Sequence, residues 1–203
     1  MKQDGILGII TARGGSKRLP GKNIMLLNGK PLLAYTCEAA LGSMLTRTIL
    51  STDDAAIAAV GKSCGVEVPF LRPAELARDD TPSMDVIAHV LSHLQEKEQY
   101  VPAIIVLLQP TSPLRTSAHI DAGIRLLQET GADSIVSVTE VPHAPAARNG
   151  ALYIFKTESF LRSPNRYGAD SRTFIMDPAE SVDIDTPDDF ARAQSLLQGK
   201  GRN

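Results

Sequence analysis

Short apolar segments alternate with helical patterns along most of this 203-residue chain, and this alternation is its most constraining feature. Near-continuous apolar runs are typical of parallel strands that are buried on both faces. The alternation therefore predicts an α/β protein, a single domain over residues 1–203, with a mostly parallel sheet covered by helices on both faces. The expected strands are residues 6–10, 48–52, 67–70, 103–108, 134–138, 151–155 and 173–176.

Helical patterns separate most of these strands. They predict helices at residues 31–41, with Pro31 in the first turn, and at 55–64, 82–98 and 117–129. A last helix is expected to begin with Thr186 as its N-cap and Pro187 as its first residue, followed by two acidic side chains in the positively polarised first turn.

Composition argues against several classes of protein. A net charge of −2 and nine aromatic residues without any Trp disfavour nucleic acid as a partner. The longest apolar runs fall far short of the ~18 residues that cross a bilayer, and the N-terminal run is too short for a secretory signal. We therefore expect a cytoplasmic chain with no membrane partner. The two cysteines, Cys37 and Cys64, predict neither a disulfide framework nor a metal cage.

Charge is distributed unevenly along the chain. Residues 1–30 carry six basic side chains against Asp4 alone, whereas residues 177–189 carry six acidic side chains and no basic one. The two segments are either separate solvated faces or the two halves of a site for an anionic substrate that carries a metal.

A basic, glycine-containing loop follows the first predicted strand. It reads Thr-Ala-Arg-Gly-Gly-Ser-Lys-Arg-Leu-Pro-Gly-Lys-Asn over residues 11–23. Ligands of open α/β sheets lie at the carboxyl ends of the strands, adjacent glycines let backbone N–H groups approach an anion, and basic side chains neutralise it. The loop therefore predicts a phosphate site rather than a solvated turn. It lacks the spacing of a Walker A motif or of a dinucleotide fingerprint, which disfavours an ordinary ATPase or dehydrogenase.

A second polar segment begins where the strand at 103–108 ends. It reads Gln109-Pro-Thr-Ser-Pro-Leu-Arg115, and its two prolines stiffen the turn that carries the polar side chains. The segment belongs to the same predicted ligand edge of the sheet. The residues alone leave open a purely structural connector between strand and helix.

The acidic segment alternates between polar and apolar residues. In an extended conformation Asp183 and Asp185 point to one side, with Val182 and Ile184 on the other. Two carboxylates on one side suit Mg²⁺, which takes one or two carboxylates together with waters and substrate phosphates. The alternative is an Asp-rich approach to a helix N-terminus.

Two histidines have a spacing that occurs in metal sites. His89 and His93 stand four residues apart in a predicted helix, which can present a zinc pair. Their apolar neighbours and the lack of a third ligand favour an ordinary helix surface.

Taken together, these segments resemble the acylneuraminate cytidylyltransferases, the CMP-sialic acid synthetases and their pseudaminic, legionaminic and Kdo relatives. The likeness runs in order through residues 12–23, 29–33, 51–53, 72–73, 109–115, Asn-Gly-Ala-Leu-Tyr-Ile at 149–154 and Ser-Val-Asp-Ile-Asp-Thr-Pro-Asp-Asp-Phe at 181–190. It implies a Rossmann-like nucleotidyltransferase fold. It also implies transfer of CMP from CTP to a 2-keto-3-deoxy sugar acid, with release of pyrophosphate.

The resemblance further implies roles for individual residues. The expected nucleotide-binding residues are Ala12, Arg13, Gly14, Gly15, Ser16, Lys17, Lys22, Asn23, Arg72 and Ser83. The expected acceptor-binding residues are Gln109, Thr111, Ser112, Arg115, Asn149 and Tyr153. Asp183 and Asp185 are expected to hold Mg²⁺, with Mn²⁺ as the alternative, and catalysis is assigned to Arg13, Lys22 and Asp185. Lys17 and Arg18 are expected to hold the departing phosphates.

The chain departs from the family pattern just before Asn149. The larger sialic acid synthetases carry a long excursion there, which supports dimerisation and contributes contacts to the sugar, whereas here the chain runs almost directly from Val138 to Asn149. The oligomeric state and the acceptor therefore stay open. Three interpretations remain: a cytidylyltransferase for a sugar acid, a nucleotidyltransferase with a changed nucleotide or acceptor, and a nucleotide-binding module without catalysis.

Overall fold

The computed structural model describes residues 5–140, 145–163 and 166–200. Lys2, Asp4 and the middle of the connection before Asn149 lie outside the described residues. In the described ranges the strands are β1 (Ile6–Thr11), β2 (Leu26–Leu27), β3 (Lys30–Pro31), β4 (Arg47–Ser51), β5 (Ile104–Leu108), β6 (Ser134–Thr139), β7 (Ala147–Lys156) and β8 (Ser171–Met176). The helices are α1 (Leu32–Leu41), α2 (Ala55–Ser63), α3 (Ser83–Glu98), α4 (Ser117–Thr130), α5 (Thr157–Arg162) and α6 (Pro187–Lys200).

Six of these strands form one sheet in the order β4-β1-β5-β7-β6-β8. β1 runs parallel to both β4 and β5, and β6 runs parallel to β8. Only β7 runs against its neighbours, β5 and β6. The predicted α/β class with a mostly parallel sheet is confirmed, and β1 and β5 end side by side at the carboxyl edge of the sheet.

Helices cover both faces of this sheet, as predicted. One face packs against α1, α2 and α4, and its core includes alternate residues of β5 such as Val106. The other face packs against α3 and α5, where Ile105 and Leu107 meet Val90 and Phe160. The five residues of β5 are all buried, which explains the unbroken apolar run in the sequence.

A third apolar cluster joins the two ends of the chain. Leu19 of the basic loop packs with Leu27, with Val182 and Ile184 of the acidic segment, and with Ala193 of α6. The N–H of Ile184 also donates to the carbonyl of Thr111. This packing brings the basic and acidic segments to the same edge of the sheet, although about 160 residues separate them along the chain.

Several boundaries differ from the prediction. The strand expected at 67–70 is reduced to one bridge, between Glu67 and Ile49, because Pro69 has no N–H to continue a ladder. Pro31 is the extended N-cap of α1 rather than part of its first turn. The strand expected at 151–155 runs over Ala147–Lys156 and pairs with β6 through a bulge.

The start of the last helix is as predicted. The N–H of Asp189 donates to Thr186 Oγ1, and the Asp189 carboxylate accepts from the N–H of Thr186, which closes a reciprocal cap. The short helix α5 was not predicted, since six residues are too few to display helical periodicity. No helix in the described ranges is long and apolar enough to cross a membrane.

Candidate functional site

A cleft of about 250 Å³ opens beyond the carboxyl ends of β1 and β5, where open α/β sheets bind ligands. A second cavity of about 490 Å³ adjoins it, since both are bordered by Arg13, Ser16, Lys22 and Asp79. Predicted site residues line much of the first cleft: Arg13, Ser16, Lys22, Asn23, Arg72, Ser83, Gln109 and Thr111. The second cavity adds Lys17, Arg18 and Asp185.

The basic loop is held in shape by contacts with its neighbours. The N–H of Gly14 donates to Asp53 Oδ1 at 3.0 Å, and the Nδ2 of the buried Asn23 donates to the Arg13 carbonyl at 2.9 Å. A Cβ at Gly14 would lie 2.8 Å from Asp54 Oδ2, so only glycine permits this approach. We predicted that the Gly14 N–H faces an anion, but here the Asp53 carboxylate accepts it.

The basic and acidic segments touch through Lys22. Only 11% of its side chain is exposed, and its ammonium donates to the Ile184 carbonyl at 2.6 Å and to Asp185 Oδ1 at 3.1 Å. Arg18 approaches the other carboxylate oxygen of Asp185 at 3.2 Å. The opposite charges seen in the sequence are therefore two halves of one site rather than two separate solvated faces.

Asp183 lies close to this contact, next to Thr111 and Gln109. Its carboxyl group accepts a hydrogen bond from Thr111 and lies beside Gly150, where a Cβ would be 3.2 Å from Asp183 Oδ2 and 3.1 Å from Gln109 Oε1. Desolvation raises the pKa of Asp183 above its ordinary value, and the Thr111 hydrogen bond acts in the opposite direction. Asp183, Thr111 and Gln109 thus form a polar group next to the cleft.

Asp183 and Asp185 have the donor chemistry for a hard divalent cation. Val182 and Ile184 are buried while the two aspartates are exposed, which confirms the predicted alternation. In the described part of the chain no three His, Cys, Asp or Glu side chains gather into a closed metal cage. An open pair of carboxylates fits Mg²⁺, which completes its shell with waters and substrate phosphates.

The two spaced histidines belong to an aromatic contact instead. The Phe70 ring lies 4.9 Å from the His89 ring and 4.4 Å from the His93 ring, centroid to centroid. Burial lowers the pKa of His89, which favours its neutral form.

Arg72 and Ser83 border the cleft on the side of α3. Arg72 is buried, and its guanidinium donates to the carbonyls of Ser51 at 3.0 Å and Leu76 at 3.3 Å. Its Nε has no hydrogen-bond partner among the described residues, and desolvation lowers its pKa. Ser83 is the first residue of α3. Both residues therefore line the cleft, Arg72 from the loop before α3 and Ser83 from the start of α3.

Some predicted residues border neither of the two cavities. Ala12 packs in the core, and Gly14 and Gly15 do not border either cavity. Ser112 is fully buried, and Tyr153 packs against the core on the α3 face. None of these five residues lines either cavity, and their predicted contacts with nucleotide or acceptor stay predictions.

Arg115 and Asn149 are structural in the same sense. Arg115 is 2% exposed and donates to the carbonyls of Gln109 and Ala151 and to Thr36 Oγ1, at 3.1, 2.8 and 2.6 Å. Burial lowers the pKa of Arg115 to about 9, which leaves it protonated at neutral pH. The Asn149 amide bonds to four partners, Ser137, Thr139, Ala151 and Ser181. Neither side chain lines either cavity, so the contact of both with an acceptor stays a prediction.

Two residues of the site were missed at the level of sequence. Asp53 holds Gly14, and Asp79 forms ion pairs with Arg13 at 2.5 Å and with Lys17. The charged run Arg-Asp-Asp at 78–80, placed just before α3, was the available signal for Asp79. The likeness to the family through residues 51–53 was the available signal for Asp53, whereas its neighbour Asp54 caps α2.

The sequence model of the cytidylyltransferase family matches residues 7–170, most of the chain. The chain belongs to this family. The match includes the basic loop and the Gln109 segment, and it ends before the acidic segment.

Two similar proteins within this family act on sugar acids, according to their names. The chain is 36% identical to the N-acylneuraminate cytidylyltransferase of Escherichia coli O18:K1:H7, over 97% of this chain and 53% of the relative. It is 32% identical to the CMP-N,N'-diacetyllegionaminic acid synthase of Legionella pneumophila, over 95% of this chain and 96% of the relative. The chain thus spans about half the length of the first cytidylyltransferase and nearly all of the second. The alignment to the first extends over 228 residues, more than this chain contains, so the relative carries extra residues inside the matched region.

Solved structures show the same fold in cytidylyltransferases. A CMP:2-keto-3-deoxy-manno-octonic acid synthetase in complex with CTP superposes with a TM-score of 0.75 at 16% identity, covering 97% of this chain and 100% of that one. A cytidylyltransferase from Leptospira borgpetersenii superposes with a TM-score of 0.68 at 21% identity, covering 97% and 88%. At these identities the likeness establishes the nucleotidyltransferase fold.

Proposed function

We propose that this cytidylyltransferase transfers CMP from CTP to a 2-keto-3-deoxy sugar acid, of the sialic, legionaminic or pseudaminic type, and releases pyrophosphate. The observation that carries the proposal is the contact between Lys22 and Asp185 at the edge of a cleft that Gln109 and Thr111 also border. A phosphate-binding loop, a carboxylate pair and an uncharged polar wall are the parts that nucleotidyl transfer to a hydroxyl needs. The names of the Escherichia coli and Legionella relatives support the sugar acid as the acceptor.

In this proposal the basic loop binds the triphosphate. The acceptor hydroxyl attacks the α-phosphorus in line with the leaving pyrophosphate, and negative charge grows on the phosphoryl oxygens and on the leaving group. Arg13 and Lys22 stabilise the charge at the α-phosphate, while Lys17 and Arg18 hold the departing phosphates. Of these four basic side chains, Lys22 is oriented in advance, because its side chain is largely buried and its ammonium donates to the Ile184 carbonyl.

The base and ribose are assigned to the α3 side of the cleft. Arg72 and Ser83 border it there, and the unpaired Nε of Arg72 is a donor available to a carbonyl or hydroxyl oxygen. Asn23 contributes indirectly in this proposal, since its amide holds the backbone of Arg13.

The acceptor is assigned to the opposite side, next to Asp183. Gln109 and Thr111 present polar groups there, and both come from the rigid turn after β5. Arg148 lies over the Tyr167 ring at 4.9 Å, and Tyr153 packs on the same face of the sheet. We propose that this patch supplies the cationic and aromatic contacts that the longer relatives place in their excursion.

Asp183 and Asp185 are proposed to hold Mg²⁺, or Mn²⁺ in its place. The ion, when bound, supplies Lewis-acid stabilisation of phosphoryl charge and lowers the pKa of a coordinated hydroxyl. Thr111 orients the Asp183 carboxyl group, and ion pairs with Arg18 and Lys22 hold the Asp185 carboxylate in place. We assign the reaction to the cytoplasm, since Cys37 and Cys64 are free thiols.

The test is pyrophosphate release with Mg²⁺ in a grid of the four nucleoside triphosphates against N-acetylneuraminate, Kdn, Kdo, legionaminate and pseudaminate. The proposal expects a signal only in the CTP row, and the responding column names the acceptor. A signal in another nucleotide row overturns the assignment to CTP. A blank grid from folded protein that is stabilised by CTP against heat points to an acceptor outside this panel or to a module without catalysis. Saturation at about 100 times Kd adds about 2.7 kcal/mol to stability, which makes such binding measurable.

A further inference from the structure

Asp79 forms ion pairs with two of the cations assigned to the nucleotide phosphates. Its carboxylate lies 2.5 Å from an Arg13 guanidinium nitrogen and also contacts the ammonium of Lys17. Hydrogen bonds from Lys17 and Arg13 hold the pKa of Asp79 below its ordinary value, so it is ionised at neutral pH. One carboxylate therefore pairs with two of the four basic side chains of the loop.

The position of Asp79 is the second observation. It borders both the cleft beside Arg72 and Ser83 and the outer cavity beside Lys17 and Arg18. When the nucleobase occupies the cleft beside Arg72 and Ser83, the phosphates of the nucleotide extend toward the outer cavity beside Lys17 and Arg18. The Asp79 carboxylate therefore lies on the path of the triphosphate.

The segment that carries Asp79 is anchored on both sides but is not tied to the basic loop by its backbone. On one side the N–H of Arg72 donates to the Thr52 carbonyl at 2.7 Å, and on the other side α3 begins at Ser83. In the described part of the chain, the contacts between Asp79 and residues 12–23 are those of its side chain alone. The carboxylate can leave Arg13 and Lys17 without disturbing either anchor.

We infer that, in the absence of nucleotide, the Asp79 carboxylate takes the place of the nucleotide phosphates against Arg13 and Lys17, and that the triphosphate displaces it on binding. The inference rests on the proposed function, because it needs Arg13 and Lys17 to be phosphate ligands. Before the nucleotide binds, Asp79 keeps the side chains of Arg13 and Lys17 close together despite their like charges. On binding, both ion pairs break and the carboxylate is left near the incoming anion, which lowers the affinity for CTP and for pyrophosphate. Asp79 thereby sets phosphate affinity and favours release of the product.

Asp80 supplies a matched control. It is the next residue, it is exposed, and it carries the same charge, but it borders neither cavity. Asp79→Asn and Asp80→Asn therefore change the net charge equally and differ in the contact alone.

The experiment is isothermal titration of the wild-type protein and both variants with inorganic pyrophosphate, at low salt and with EDTA to remove divalent ions. We expect Asp79→Asn to bind pyrophosphate about tenfold more tightly, since two exposed ion pairs no longer compete. Asp80→Asn is expected to stay within about twofold of the wild type. In turnover assays Asp79→Asn should be inhibited by pyrophosphate at correspondingly lower concentrations.

Two results would overturn the inference, and they differ in what they say of the proposed function. Equal binding by Asp79→Asn, with wild-type binding intact, shows that Asp79 does not compete with the phosphates, and weaker binding shows that it supports the bound state; both results leave the proposed function standing. No binding of pyrophosphate or of CTP with Mg²⁺ by any of the three folded proteins overturns the proposed function itself. Far-ultraviolet circular dichroism and thermal midpoints establish that each protein is folded.

Discussion

The two sides of the site are built differently. On the side proposed for the nucleotide, Arg13, Ser16, Lys22 and Asn23 come from one continuous loop and all border the cleft. On the side proposed for the acceptor, Gln109 and Thr111 border the cleft, but Ser112, Arg115 and Asn149 are buried and do not line it.

This difference shows that a polar motif can serve a site in two ways. A basic loop has to expose its charges, because each buried charge without a partner would be costly. A polar turn between two buried elements also has to satisfy its own backbone, and Arg115 does this for the Gln109 carbonyl. The same guanidinium ties the turn to β7 and α1 by donating to the Ala151 carbonyl and the Thr36 hydroxyl. Substitutions on the two sides are therefore expected to affect different quantities.

The largest expected effect is on turnover. Asp185→Asn should lower kcat at least about 100-fold, because it removes a proposed metal ligand and the partner of Lys22 and Arg18. Steady-state pyrophosphate release at saturating substrates measures this effect. Asp188→Asn, on the first turn of α6, is the control for lost charge. Near-normal turnover in Asp185→Asn would exclude Asp185 as a metal ligand.

Arg115→Leu should affect stability rather than substrate binding. The substitution leaves the Gln109 and Ala151 carbonyls and the Thr36 hydroxyl without their donor, at a cost of about 3 kcal/mol in the free energy of unfolding. Urea unfolding measures the loss, and Arg125→Leu, on the exposed face of α4, should change it by less than about 0.5 kcal/mol. A stable Arg115→Leu protein with a raised KM for the acceptor would show that Arg115 contacts the acceptor.

Gln109→Ala should affect acceptor binding alone. Its side chain lies next to Gly150 and Asp183 on the cleft wall, so its loss should raise the acceptor KM about tenfold, the value of one hydrogen bond to substrate. The KM for CTP should change by less than about twofold. Kinetics with each substrate varied in turn provide the comparison. Equal rises in both KM values would mean that Gln109 is a structural residue of the turn.

The smallest effect is expected at Gly150. Its φ is +74°, and a Cβ there would press on Gln109 Oε1 and Asp183 Oδ2, so Gly150→Ala should lower kcat/KM for the acceptor several-fold. Gly131→Ala is the matched control, since its φ is +67° and a Cβ there meets open space. Both variants should lose about 1 kcal/mol of stability from backbone strain. An equal loss of activity in both would attribute the effect at Gly150 to strain and not to contact.

Much of the fold followed from patterns in the sequence. The unbroken apolar run of β5 and the alternation with helices predicted the parallel sheet, because burial on both faces leaves no room for polar residues. The bridge at Glu67 and the short helix α5 escaped the prediction, since one bridge pair and six residues carry too little periodicity. The sequence also predicted the phosphate site at the basic loop, because adjacent glycines and four basic side chains in a short loop are typical of anion binding.

The class of the fold, the basic loop and the alternation that exposes Asp183 and Asp185 follow from local patterns in the sequence. Which polar residues border the cleft depends on tertiary packing, as the different positions of Gln109 and Arg115 show. Tertiary packing also decided that Asp79 meets Arg13 and Lys17, a contact across more than 60 residues. This difference arises because the pattern of apolar and polar residues in a helix or strand reflects only which of its residues are buried. The meeting of distant charges depends instead on the apolar packing of Leu19, Val182 and Ile184 and on the order of strands in the sheet.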